Sequence, residues 1–444
     1  MPDVIYQAPS GQVIRFGNGS GPAPNRPWAA SVPVNAWTEV GTQTWHAFAL
    51  ANIPWPETAF NGVGSAYRSV RGAYADPAYS ADAQILTGGG HADGTCDVVG
   101  KLDKATMEWS ILQQPTPPDR RPPIYRNGNA GEPGNLIYPS GRAGNQPGTS
   151  GGHFLPAPPL TDPADLPYAT PLSRTSTHMY ASTAMRKGVY HCFYLSYGEF
   201  DTVSKTWSMD AANVRFGEQL VAAFPQFNNL PLQQGTVATY DEVTDRFFVT
   251  LNPGDWGGAW RNRMLVITPP PPGDGPGGRT IEAIISPGNL GEILNSVGVF
   301  KVGRKLYILL KTPRANPAVM NTGLIFDMDT RVFQRFIVAG DPSRLTFVEG
   351  VIQETIPGWS DGSRIHLWNY NAANKGVIST LNLTPTGGTG TLPDPFVLTR
   401  TETAVANPPS PVYTYRLDFD VASGCVVFIP SADVKPVALR FVPA

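Results

Sequence analysis

Residues 236–250 read Thr236-Val237-Ala238-Thr239-Tyr240, then a polar stretch from Asp241 to Arg246, then Phe247-Phe248-Val249-Thr250. Two runs of β-branched and aromatic residues flank a short polar segment, which is the pattern of an antiparallel hairpin. The same arrangement recurs. Polar turns stand at Arg186-Lys187-Gly188 before Val189, Gly303-Arg304-Lys305 before Leu306, Asp361-Gly362-Ser363 before Ile365, and Ala422-Ser423-Gly424 before Val426. The first apolar residues after the turns fall at 189, 247, 306, 365 and 426, at intervals of 58, 59, 59 and 61. A sixth copy, residues 76–82 leading into Ile85-Leu86-Thr87, lies 104 residues before Val189. The excess of about 45 residues sits in the Pro-rich stretch 114–172, and removing it restores the period.

Each unit carries a second hairpin signal: an Asp, a Thr or Ser three residues on, and an aromatic three further. Asp103-Thr106-Trp109, Asp201-Ser204-Trp207 and Asp327-Thr330-Phe333 show it. The Asp carboxylate accepts from backbone amides ahead of it, the Thr or Ser closes the turn, and the aromatic packs onto the next unit. Two hairpins make four strands. Four short strands at a fixed period of about 40 to 60 residues mark a β-propeller, in which blades pack face to face around a ring. The fold class expected is all-β, with six four-stranded antiparallel blades. Residues 37–53, with strand-like Thr44 to Leu50, either close the ring against residues 436–442 or belong to a seventh blade. The domain reading is an N-terminal segment, 1–60, that supplies ring-closing strands, and a propeller, 61–444, with the insertion 114–172.

Composition agrees. Glycine and proline, 46 and 45 of 444 residues, are well above the roughly 12% of an average chain, which excludes long helices because interior Pro costs about 3 kcal/mol. The 41% apolar and 10% aromatic content offsets the entropy of ordering and excludes disorder. A net charge of −2 excludes a polyanion-binding surface spread over the whole molecule. Cys96, Cys192 and Cys425 are scattered and odd in number, so they read as small buried residues rather than a disulfide framework. No secretory signal and no apolar stretch of membrane-spanning length stand in the chain as given, so the expectation is a soluble protein.

Gly88-Gly89-Gly90-His91, followed by Val98 to Asp103 and Trp109, resembles the kelch repeat of galactose-oxidase-like propellers. Copper-radical oxidases of that superfamily need a cross-linked Cys and Tyr, a second Tyr and two His, a set that cannot be placed here. Another branch, the ulvan lyases, abstracts a proton beside a uronate carboxylate with His and Tyr while Arg neutralises the carboxylate. That resemblance implies His91, His178, Tyr180 and Arg174 as catalytic candidates, with Arg186 and His191 nearby. The alternation Arg174, Ser176, His178, Tyr180 puts four side chains on one strand face, an arrangement that a purely structural strand shows equally. Short-tailed bacteriophages use six-bladed propellers of this size as tail nozzle subunits around a DNA exit channel, and that resemblance implies a virion component.

The remaining candidates concern binding. Asp255-Trp256-Gly257-Gly258-Ala259-Trp260-Arg261 is a Gly-flexed aromatic loop suited to stacking a sugar or anchoring a partner protein; the alternative is a hairpin tip packed on a neighbouring blade. Trp359 and Trp368, flanking another turn, carry the same two readings. The insertion 114–172 holds fourteen prolines with Arg120, Arg121, Arg126 and Arg142, and long loops in compact domains are usually functional. The Gly-rich runs 148–152 and 273–278 lack the Lys-Ser or Lys-Thr of a phosphate loop, and residues 269–272 form a stiff polyproline connector. No cofactor and no metal ligand set is read. The function expected is a non-catalytic structural or interaction propeller within an assembly, with protein partners, a homo-oligomeric arrangement and DNA passing through the oligomer's channel. The alternatives are a uronate polysaccharide lyase and a sugar-binding module.

Overall fold

The computed structural model describes residues 4–7, 13–16, 26–59, 67–71, 76–87, 98–115, 154–156, 172–174, 182–193, 198–208, 237–251, 263–268, 280–288, 296–310, 322–340, 357–369, 376–410 and 416–444. Among them the chain is almost wholly β, with one short α-helix and three 3-10 turns. The strands form four-stranded antiparallel meanders of propeller type. In chain order these are Ala78–Tyr79, Ala83–Thr87, Val99–Asp103 and Trp109–Gln113 (first sheet); Thr183–Arg186, Val189–Cys192, Gly198–Asp201 and Thr206–Ser208 (second); Val237–Asp241, Arg246–Leu251, Arg263–Thr268 and Thr280–Ile285 (third). Ser296–Val302, Lys305–Leu310, Thr322–Asp327 and Phe333–Val338 form the fourth, and Gly358–Ser360, Ile365–Asn369, Val377–Asn382 and Phe396–Ala404 the fifth. The sixth combines Asp418–Asp420, Cys425–Phe428 and Val437–Leu439 with Trp37–Glu39 from the other end of the chain. Two short hairpins, Val4–Gln7 with Val13–Phe16 and Phe154–Pro156 with Leu172–Arg174, stand outside these meanders.

The hairpins read from the sequence form where the pattern placed them. Asp241 pairs with Arg246, and Arg186 with Val189 across Lys187 and Gly188, both at positive φ. The second is a two-residue turn, which matches strand twist, and Gly188 takes the left-handed position without a side-chain clash. The three Asp turns also form. Oδ1 of Asp103, Asp201 and Asp327 each accepts from the amides two and three residues ahead, at 2.7–3.3 Å. Asp241 makes the same turn with Thr244, but between the first two strands of its sheet rather than the last two.

The N-terminal strand of the sixth sheet is shorter than expected, and Thr44 to Leu50 is not a strand. Thr44, in extended conformation, caps the helix Trp45–Asn52 by accepting from the Ala47 amide at 3.1 Å. No β-branched residue follows until Ile53, and Pro54 prevents continuation. The helix buries Trp45, Phe48 and Ala49 against the first and sixth sheets, beside Leu86, Leu102, Val427 and Ile429.

Packing is face to face between successive sheets. Ala184 and Phe193 meet Ala238 and Phe247; Val237 and Phe248 meet Leu306 and Phe326; Phe300 and Tyr307 meet Leu367 and Leu381; Trp359 and Trp368 meet Val426 and Phe428. The first and second sheets touch through Thr87 and Tyr190, whose hydroxyls lie 3.0 Å apart. Each fully buried large side chain contributes about 1.5–3 kcal/mol, against about 0–1 kcal/mol for an exposed ion pair, so the apolar faces supply most of the cohesion.

Charges set register between neighbours. Arg186 Nε and Nη2 lie 2.7 Å from the carboxylate of Asp245, fifty-nine residues on, which also accepts from the Tyr240 hydroxyl. Asp241, fully buried, receives Arg304 and Lys301 from the next sheet. At the seam between the first and sixth sheets, Lys104 Nζ pairs with Asp418 at 2.6 Å and Arg26 with Asp420 at 2.9 Å, all four buried. Burial raises the Asp418 carboxyl against the lowering effect of Lys104. Buried pairs of this kind fix geometry more than they add stability. Outer edges are joined as well. Phe336–Val338 of the fourth sheet pair in parallel with Phe396–Leu398 of the fifth, and Ala36 bridges Ala406 in the same sense.

Candidate functional site

In each meander the link from second to third strand, and the link onward to the next sheet, leave from the ends opposite the first turn. By chain order His91 falls in such a link of the first sheet, Trp256, Trp260 and Arg261 in that of the third, and Arg120, Arg121, His178 and Tyr180 between the first and second sheets. These eight residues lie outside the described residues. Arg174 ends the strand Leu172–Arg174, opposite Phe154 and apart from the meanders; the remainder of its alternation lies outside the described residues.

Trp359 takes the packing alternative. It is 3% exposed, 4.9 Å from the His366 ring and edge-on to Phe441 at 5.5 Å. Trp368 is equally buried against Trp37. Arg186 is engaged by Asp245, and His191 is buried 4.6 Å from Phe247 with Nδ1 3.3 Å from Glu199.

Where the linking segments are described, they carry a cluster that the sequence did not disclose. His46, on the helix after Trp37–Glu39, directs Nε2 to Glu57 at 3.1 Å and Nδ1 to Asp433 at 3.1 Å. Arg68 Nε lies 2.7 Å from one oxygen of the Asp433 carboxylate and 2.8 Å from the other. The Tyr67 amide donates to Glu57 at 2.6 Å, and the His46 amide donates to the Ala432 carbonyl. His46 and Glu57 are largely covered, whereas Arg68 and Asp433 are half exposed. The cluster joins segments far apart in the chain, so no local spacing could announce it; Thr44 as a helix cap is a signal that the strand reading of residues 44–50 passes over.

Chemically, both ring nitrogens of His46 face carboxylates. A general base needs one nitrogen directed at a substrate proton, whereas here the ring bridges two acidic side chains. His366, inside the fifth sheet, also has both ring nitrogens engaged, but by one hydroxyl and one carboxylate: Nδ1 is 3.0 Å from Thr380 Oγ1 and Nε2 is 3.0 Å from Asp361. Burial pushes the Asp361 carboxyl up, but the bond and charge of His366 and two backbone amides outweigh it and bring it down to about 2. These histidines hold segments together, and the half-exposed Arg68 and Asp433 leave a charged surface beside them.

No protein-family model and no curated protein matches the chain. Among solved structures it is similar to a quinonprotein alcohol dehydrogenase-like protein from Bacteroides thetaiotaomicron, at 11% identity and TM-score 0.37 over 83% of this chain and 67% of that one. It is also similar to AztD from Citrobacter koseri (9%, TM-score 0.34, 74% of each chain) and to BamB from Moraxella catarrhalis (9%, TM-score 0.32, 84% and 86%). Coverage is broad and superposition loose, and the architecture of this chain rests on its own strand pairings.

Proposed function

We propose that the chain is a six-bladed propeller, closed by Trp37–Glu39, that works as a non-catalytic interaction subunit of a larger assembly. The observation that carries this reading is the His46 cluster. On the linking segments, ionisable groups bridge chain segments to one another and display Arg68 and Asp433 on a half-exposed surface. A rigid ring with charged and aromatic linking segments suits protein recognition, where Trp and Arg dominate binding energy. Trp256, Trp260, Arg261, Arg120 and Arg121 are the proposed contacts.

Size in solution tests the proposal. Light scattering over a concentration series is expected to show self-association, weakened about tenfold or more by Trp260→Ala or Arg261→Ala. A strict monomer that co-purifies with no partner and is unaffected by these changes would overturn it. Formation of unsaturated product from a uronic polysaccharide, lost in His178→Ala, would favour the lyase alternative. A narrower form, a nozzle-type subunit of a short phage tail, is tested by imaging the protein in an assembled particle.

A further inference from the structure

We propose that the axis of the sheets holds a cation-binding position that this chain fills with its own guanidinium, that of Arg416. The first strands of successive sheets lie against one another from the first to the sixth, so they are the innermost. Arg416 stands two residues before the first strand of the sixth sheet, Asp418–Asp420. Its Nη1 donates to the Ala238 carbonyl at 3.0 Å, on the first strand of the third sheet. Its Nη2 donates to the Thr183 carbonyl at 2.8 Å, on the first strand of the second. The guanidinium stands 5.6 Å over the ring of Tyr79, on the first strand of the first sheet. The Arg416 backbone is held too, its amide donating to Asp76 Oδ2 at 3.1 Å and its carbonyl accepting from the Tyr79 hydroxyl at 2.9 Å. One residue thus ties four of the sheets at their inner edge.

The chemistry is that of a cation site. Converging backbone carbonyls and an aromatic face attract small cations, and the buried Asp76 carboxylate beside them supplies compensating charge. A planar guanidinium satisfies two carbonyls at fixed separation, which an ammonium does less well. Burial, followed by the charge of Asp76, holds the Tyr79 phenol well above its ordinary range, so it remains a neutral donor to the Arg416 carbonyl. Removing the side chain leaves the carbonyls and the ring in place, and a free guanidinium ion is the ligand that fits them. The position is independent of the interaction reading, because the groups that Arg416 meets, Tyr79, Thr183 and Ala238, stand on first strands and include none of the proposed contact residues.

The test is chemical rescue. The full chain carrying Arg416→Ala is expected to melt several degrees below wild type. Low-millimolar guanidinium chloride should restore most of that loss, through binding to the folded state alone, and should leave wild type unchanged. Equal sodium chloride or urea should restore none. Arg416→Gln, which keeps amide donors without the charge, should fall between. If Arg416→Ala folds poorly, the refolding yield gives the same reading: a yield that rises with guanidinium and not with sodium supports the proposal. Unchanged melting of Arg416→Ala, or an equal response of variant and wild type to guanidinium, would overturn it.

Discussion

At the scale of single residues, the Asp turns show how far chemistry can be read locally. The Asp and its Thr or Ser were legible because each has a side-chain oxygen suited to a turn. The left-handed residue that completes each turn was not. Met107, Lys205, Arg331 and Asp245, each four residues after the turn Asp, adopt positive φ of 53–59°. They share no side-chain chemistry, so the turn length imposes the conformation on whichever residue stands there. The same turns place carboxylates among cations. Burial raises Asp241, but bonds from Thr244 and Arg304 and the charge of Lys301 outweigh it and hold the carboxyl at about 2. A depressed carboxyl contributes stability that is fully present above about pH 4 and is lost as pH falls through its folded value. Asp241→Asn should therefore lower stability near neutrality by on the order of 2 kcal/mol and flatten the decline between about pH 5 and 2, as read from urea midpoints across that range. Equal midpoints at every pH would show that the Arg304 and Lys301 contacts contribute nothing.

At the scale of elements, the short helix is the main departure from the strand pattern. Trp45 to Asn52 is a brief, mostly apolar run, and periodicity alone does not separate strand from helix at that length. Its lack of β-branched residues and the preceding Thr were the available signals. Its position depends on a strand residue far away. A Cβ on Gly100, in Val99–Asp103, would stand 2.6 Å from two carbons of the Trp45 indole, so the missing side chain is what lets the helix dock. Gly100→Ala should destabilise by about 1–3 kcal/mol through overpacking. Combining it with Trp45→Phe, which vacates part of that space, should cost less than the two changes summed, and a double-mutant cycle measures the difference. Strict additivity would argue against the contact.

At the scale of the whole molecule, the period of about 59 residues located the meanders, and of the two readings left open for residues 37–53 the pairing with the C-terminal segment is the one that Trp37–Glu39 makes, against Val437–Leu439. The His46 cluster, the Arg26 and Lys104 seam and the Arg416 tie were not legible, because each joins side chains to partners on distant segments that no local motif announces. The seam makes a prediction of its own. Deleting residues 1–39 removes Arg26, Trp37 and the outer strand of the sixth sheet, exposing Val437–Leu439 as an open edge. The truncated chain should melt lower and aggregate, with at least the roughly 3–5 kcal/mol typical of losing one buried Trp, followed by calorimetry and light scattering. A monodisperse product with unchanged melting would mean that the last sheet is complete without its fourth strand.

The parallel joining of Phe336–Val338 to Phe396–Leu398 also governs how the molecule opens. That pairing spans the first three strands of the fifth sheet, and it makes the outer strands of two sheets share one hydrogen-bonded ladder. Local opening of either sheet must then break bonds of the other. In amide exchange the fourth and fifth sheets should behave as one cooperative unit, with strands 322–338 and 377–404 losing protection together.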